Sequence, residues 1–154
     1  MIPSSLYPLV TALLSNILAQ VLKTVVYYYR TGKWDFHWVI ASGGFPSSHS
    51  STVTALSLSI GIQEGFDSAI FAVTTIFSFI VMYDAMGVRR ETGEQAKVLN
   101  EIVSQWFQMG NKLQSRDPME QLKEFVGHTP LQVLIGAILG CSIAAMVCNA
   151  MHLM

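Results

Sequence analysis

The chain has 154 residues, 51% of them hydrophobic and only 12% charged, against about 25% charged in an ordinary soluble domain. Its formal net charge of -1 argues against general nucleic-acid binding. A single small integral-membrane domain over residues 1–154 is the first reading, ahead of a very apolar soluble helical bundle, because the uncharged runs come close to bilayer length.

The first uncharged run is Leu6 to Leu22, and its helical pattern continues through Lys23 into Tyr27, Tyr28, Tyr29 and Arg30, an aromatic belt of the kind found at an interface. No basic stretch precedes it, so a cleaved signal peptide is not expected. After a turn at Thr31 to Trp34, the next uncharged region is broken by Gly43, Gly44 and Pro46. A second span is therefore expected from near Ser47 to near Ile62, with the Gly-rich piece as a loop or re-entrant segment. The short turn from Gln63 to Asp67 leads to a third span, Ser68 to about Met86, antiparallel to the second.

Residues from about 87 to 129 form the one long polar segment. Leu99, Ile102, Val103, Trp106 and Phe107 recur there at helical spacing, which predicts an amphipathic helix on the membrane surface, or a small hairpin over the bundle. The last span runs from Pro130 to about His152, where Gly136, Gly140 and Ala144 make a small-residue stripe suited to close contact within the bundle or in a homo-oligomer. Cys141 and Cys148 share a face of this helix, cannot readily bridge each other, and read as packing residues. The expected fold is thus all-α, a bundle of about four transmembrane helices with a polar amphipathic insertion before the last one.

Four crossings place all nine basic residues on one side. The positive-inside rule makes that side cytoplasmic, with both termini outside, in the cell (inner) membrane. The same side collects the chemistry-bearing residues. Lys23 and Arg30 lie two helical turns apart on one face, where two cations can clamp a phosphoryl group or simply snorkel to the interface. In Gly43-Gly44-Phe45-Pro46-Ser47-Ser48-His49, glycines allow close backbone approach, Ser47 or Ser48 can cap the helix, and the free N–H groups favour an anion beside His49. His128 precedes Thr129 and Pro130, which read as the cap and first residue of the last span. Arg89 and Arg90, near Asp84, close the set. No carboxylate cluster suited to Mg²⁺ is evident, and neither a metal nor a cofactor is expected.

With these motifs in order, the chain resembles the type 2 phosphatidic acid phosphatase superfamily, shared with vanadium-dependent haloperoxidases, and most closely its divergent short membrane branch. Lys23 to Arg30 matches the superfamily's Lys, six residues, Arg; Pro46-Ser47-Ser48-His49 matches Pro-Ser-Gly-His with Ser48 in place of Gly. In the third motif an insertion of nearly forty residues separates Arg89 or Arg90 from His128. Asp84-Ala85-Met86-Gly87-Val88-Arg89-Arg90 and Gly127-His128-Thr129-Pro130 look like the divergent branch.

The resemblance implies a metal-independent lipid phosphatase. His128 would attack phosphorus to form a phosphohistidine, and His49 would protonate the leaving group and later activate water. Lys23, Arg30, Ser47, Ser48 and one of Arg89 or Arg90 would hold the non-bridging oxygens. Near a helix start and several cations, the nucleophilic imidazole is expected to have a lowered pKa. One departure stands out: the acidic position that orients the nucleophile is Gln132, whose amide accepts the His N–H but cannot balance an imidazolium charge. Asp84, Glu91 or Glu124 could supply that charge. The leading expectation is hydrolysis of a lipid phosphate or diphosphate; the alternative, which Gln132 favours, is a non-catalytic lipid-phosphate binder or carrier.

Overall fold

The computed structural model describes residues 4–34, 43–108, 122 and 127–151. Glu124, and the basic residues Lys112, Arg116 and Lys123, lie outside the described residues. A short 3-10 turn, Ser4–Leu6, leads into five helices: α1 (Tyr7–Thr31), α2 (Ser48–Glu64), α3 (Ala69–Met86), α4 (Val88–Gln108) and α5 (Pro130–Ala150).

Local chemistry sets most of these boundaries. Gly32, at φ +69°, closes α1 by donating its N–H to the Tyr28 carbonyl at 2.8 Å, a left-handed cap that glycine adopts without Cβ strain. Ser47 caps α2 by accepting from the Ser50 N–H, and Ser68 caps α3 by accepting from the Phe71 N–H. At α5, Thr129 and Gln132 form a reciprocal capping box, with Pro130 in the first turn.

The Ser-rich helix α2 is the centre of the bundle, packed against α1, α3 and α5. Its buried positions, Ser48, Ser50, Ser51, Val53, Ala55, Ser57, Ser59, Ile60 and Gly61, run round the helix and are mostly small, which lets three neighbours approach closely. Ser15 Oγ donates to the Ser51 carbonyl at 3.0 Å and Asn16 donates to Thr52 Oγ1 at 2.9 Å, while Lys23, two turns further along α1, meets Ser48 at the start of α2, so the two helices are antiparallel. Ser78 Oγ donates to the Val53 carbonyl at 2.9 Å, and the Ser57 and Thr75 hydroxyls stand 3.0 Å apart, so α3 is also antiparallel to α2. Between α2 and α5 the order is parallel: Gly136 meets Ser47 and Ser50, and Gly140 meets Ser51 and Thr54.

These contacts settle what the stripe Gly136, Gly140 and Ala144 does. All three are buried inside the bundle, and the Ala144 carbonyl accepts from Tyr7 Oη at 3.0 Å. Cys148 is buried in the same interior, whereas Cys141 is exposed; both thiols are free. The packing role expected of both therefore falls to Cys148 alone, because Cys141 has rotated out of the α2 contact.

The outer faces are apolar. Leu9, Leu13, Leu14, Ile17 and Val21 on α1, Val73, Ile76, Phe77 and Ile80 on α3, and Leu131, Leu134, Ile138 and Met146 on α5 are all exposed. Such a continuous apolar girdle around a polar-seamed interior is the arrangement a lipid solvent favours. Helices α1 and α5, and the apolar stretch beginning at Ala69, are long and apolar enough to cross a membrane. The 17-residue α2 lies among them, antiparallel to α1 and α3 and parallel to α5, as the short, shielded fourth element. Helix α4, predicted from Leu99, Ile102, Val103 and Trp106, is present and follows α3 after the single non-helical Gly87. It leaves Val98, Leu99, Ile102 and Trp106 exposed.

Candidate functional site

The antiparallel order brings four pieces to one end of the bundle: Lys23 of α1, the start of α2, the end of α3 and the approach to α5. The segment before α5 is tied down twice. The His128 N–H donates to the Ala85 carbonyl at 3.0 Å, and Gly127 lies so close to the Arg90 backbone that a Cβ there would collide with it. The Ser47 N–H donates to the Gln132 carbonyl at 3.1 Å, joining the starts of α2 and α5.

Two imidazoles face each other at this junction. The rings of His49 and His128 are 5.9 Å apart between centroids and inclined at 64°. His128 is 1% exposed. Its Nδ1 stands 3.3 Å from Gln132 Oε1, and because an amide oxygen only accepts, that contact places the ring proton on Nδ1. The lone pair then sits on Nε2, which is buried with no hydrogen-bond partner among the described residues, as is His49 Nδ1. A pair of buried imidazole nitrogens without partners is costly unless something else satisfies them. Burial pushes the His128 pKa down to about 4, helped by the charges of Lys23 and His49 and opposed by the Gln132 contact and the Gly44 backbone.

Cations surround the pair. Lys23, itself 1% exposed, reaches Ser48 Oγ at 3.4 Å. Arg89 is held by Asp84 through an Nε to Oδ2 contact of 2.6 Å, and the charges of Arg89, Lys23 and Asp84 all bear on the His49 ring. Among the described residues, no group of three or more His, Cys, Asp or Glu is arranged to hold a metal ion.

The residues named from the sequence thus separate into those brought together and those left apart. Lys23, Ser47, Ser48, His49, Asp84, Arg89, His128 and Gln132 converge. Arg30 is exposed at the end of α1, about 10 Å beyond Lys23 along the axis at 1.5 Å per residue. Arg90 turns its side chain outward while its backbone supports Gly127. Ser47 is occupied as the cap of α2, its Oγ accepting from both the N–H and Oγ of Ser50, and it is Ser48 that faces Lys23. Of the carboxylates, Asp84 serves Arg89, and Glu91 is exposed. Helix α5 begins at Pro130, so His128 precedes it. Sequence reasoning missed the Ala85 carbonyl, which no side-chain motif announces, and the Ser15–Ser51 and Asn16–Thr52 seams; the signal for the seams was polar residues set inside apolar runs.

A helical bundle with an apolar outer surface, carrying at one end a buried and a part-buried histidine flanked by Lys23 and Arg89, defines an integral membrane protein. The chain belongs to the Divergent PAP2 family, whose sequence profile matches residues 5–143. It is 41% identical over 140 residues to the "Uncharacterized membrane protein YuiD" of Bacillus subtilis (strain 168), covering 87% of this chain and 89% of that protein. No solved structure matches.

Proposed function

We propose that the protein is a membrane phosphatase that hydrolyses a lipid phosphate or diphosphate through a phosphohistidine intermediate, without a metal. The observation that carries this reading is a buried His128 whose ring lies 5.9 Å from that of His49, with Nε2 lacking a hydrogen-bond partner among the described residues and the opposite ring nitrogen beside Gln132. A site that only bound phosphate would need cations far more than two matched imidazoles.

In the proposed reaction, His128 Nε2 attacks phosphorus, the bond from phosphorus to the leaving oxygen breaks, and His49 gives that oxygen its proton. Water then attacks the phosphohistidine, His49 takes the water proton, and the P–N bond breaks to release phosphate and neutral His128. Lys23, Ser48 and Arg89 hold the non-bridging oxygens while charge redistributes. Arg30 would meet only the outer part of a larger headgroup, such as a diphosphate. The face bearing the site is cytoplasmic in this reading. An anionic head at the interface with its tail in the bilayer makes a lipid the natural substrate.

One observation favours a second reading. Gln132 supplies the hydrogen bond to His128 but no negative charge, so a lipid-phosphate carrier that has lost turnover keeps every contact described. Phosphate release from a panel of lipid phosphates by purified protein in excess chelator separates the two. Release that is lost in both His128→Ala and His49→Ala supports the enzyme. Retained lipid-phosphate binding with no release from any substrate supports the carrier.

A further inference from the structure

Helices α3 and α5 flank α2 and barely touch each other. Between them lies a groove of about 640 Å³, in the size range of small-molecule sites, walled by apolar side chains that include Met82, Met86, Val133 and Ala137. Three further wall residues, Phe79, Ile80 and Leu134, are 62%, 61% and 56% exposed, so the groove opens sideways onto the lipid-facing surface.

Its upper end lies next to the histidine site. Pro130 and Met86 belong to the groove wall; Pro130 is two residues from His128, and Met86 follows Ala85, whose carbonyl accepts the His128 N–H. From Pro130 to Ala137 and from Met86 to Phe79 the walls run seven residues along each helix, about 10 Å at 1.5 Å per residue. That is roughly a third of a ~30 Å hydrocarbon core. An imidazole-bearing, cation-flanked site that lies beside an apolar, laterally open slot matches the division of an amphiphile into an anionic head and an apolar tail.

We infer that the groove between α3 and α5 holds the hydrocarbon chain of the phosphorylated lipid whose head occupies the histidine site, and that the lipid enters sideways from the bilayer between these two helices. This rests on the phosphatase reading and specifies where the tail lies. Val133 and Ala137, at the floor of the slot, and Leu134, at its rim, are then specificity-determining residues that touch no phosphate. The bulk they present sets how well the first part of the chain fits.

The test compares kcat/KM for dipalmitoyl phosphatidic acid in mixed micelles with that for water-soluble phenyl phosphate, in wild type, Ala137→Trp, Leu134→Trp and the lipid-facing control Met146→Trp. Because Leu134 is largely exposed, its Trp variant does not depend on repacking the interior. The expected result is a fall of roughly tenfold, about 1.4 kcal/mol, in the ratio of lipid to phenyl phosphate for the two groove variants, with the ratio preserved in the control. Wild type should also show KM falling as the chain of a short lipid phosphate is lengthened, and the groove variants should lose that trend. An unchanged ratio in both groove variants overturns the tail site while leaving the phosphatase reading intact. Cleavage of phenyl phosphate with no preference for the lipid does the same. Failure of wild type to cleave either substrate overturns both.

Discussion

Gln132 Oε1 accepts the Thr129 N–H at 2.9 Å and stands 3.3 Å from His128 Nδ1. One amide oxygen therefore both starts α5 and fixes the tautomer of the buried histidine. The capping box is a device of helix initiation; here the same residue also holds Nδ1 of the histidine whose ring lies 5.9 Å from that of His49. The orientation of the His128 ring, the nucleophile of the proposed reaction, is thus tied to the geometry of the helix start.

Replacing Gln132 therefore tests orientation and charge separately. Gln132→Leu removes the acceptor and is expected to lower kcat by about 10²-fold or more, the usual scale for losing a proton-handling arrangement. Gln132→Glu keeps an acceptor and adds a negative charge, which favours the charged form of His128 and raises its pKa. The proposed reaction requires a neutral His128, so the acidic limb of the pH–rate profile, expected near pH 4 in wild type, should move to higher pH in this variant. An unshifted limb in Gln132→Glu would separate Gln132 from the chemistry.

The depressed His128 pKa also makes stability depend on pH. The folded value is about 4 against about 6.5 for an unfolded histidine, so between these values the unfolded chain binds more protons. Stability is then complete above about pH 6.5, falls as the pH drops toward 4, and levels off below. The loss is expected to reach about 3 kcal/mol at most. Thermal unfolding in detergent across this range should show the slope in wild type and a flatter one in His128→Asn.

Arg89 and Arg90 are adjacent but differently placed, and their variants should differ accordingly. Arg89→Ala is expected to lower kcat/KM by about 10²-fold, as for removal of one preorganised charge-stabilising donor, whereas Arg90→Ala, on an outward-facing side chain, should leave it nearly unchanged. Asp84→Ala should cost under about 1 kcal/mol of stability, since the ion pair is part-exposed. It should still raise KM, because the guanidinium loses the partner that orients it. Initial rates and melting curves on the same three preparations check all of this.

Gly140 faces the Ser51 carbonyl and Thr54 Oγ1 with no room for a Cβ, and the Ala55 nitrogen would be only 3.0 Å away. Gly140→Ala is expected to destabilise the bundle by about 1–3 kcal/mol through forced separation of α2 and α5, while Ser142→Ala, on the exposed face of the same helix, serves as the neutral control. Equal melting temperatures for the two variants would mean that α2 and α5 are less tightly seated than their contacts indicate.

Much of this protein was legible in its sequence because the signals are local. Uncharged runs fall on α1, α3 and α5, the caps at Ser47 and Thr129 fall where hydroxyl and proline chemistry puts them, and the Leu99 to Trp106 periodicity falls on α4. Chain order alone brings His49 and His128 to one end once the connections are known to reverse direction. Helix formation, capping and membrane insertion depend on residues within one or two turns of each other, so a linear reading reaches them.

The choice among neighbouring candidates belongs to the tertiary structure. That Lys23 is buried against Ser48 while Arg30 is exposed, that Arg89 and not Arg90 faces His49, that Asp84 serves an arginine, and that Gly136 and Gly140 are consumed within the bundle all follow from side-chain direction across helix pairs far apart in the chain. The groove between α3 and α5 has no signature at all in the sequence, since its walls read as ordinary lipid-facing residues. A slot forms only where two helices seated on a third fail to meet, and that depends on packing distance, which no single segment encodes.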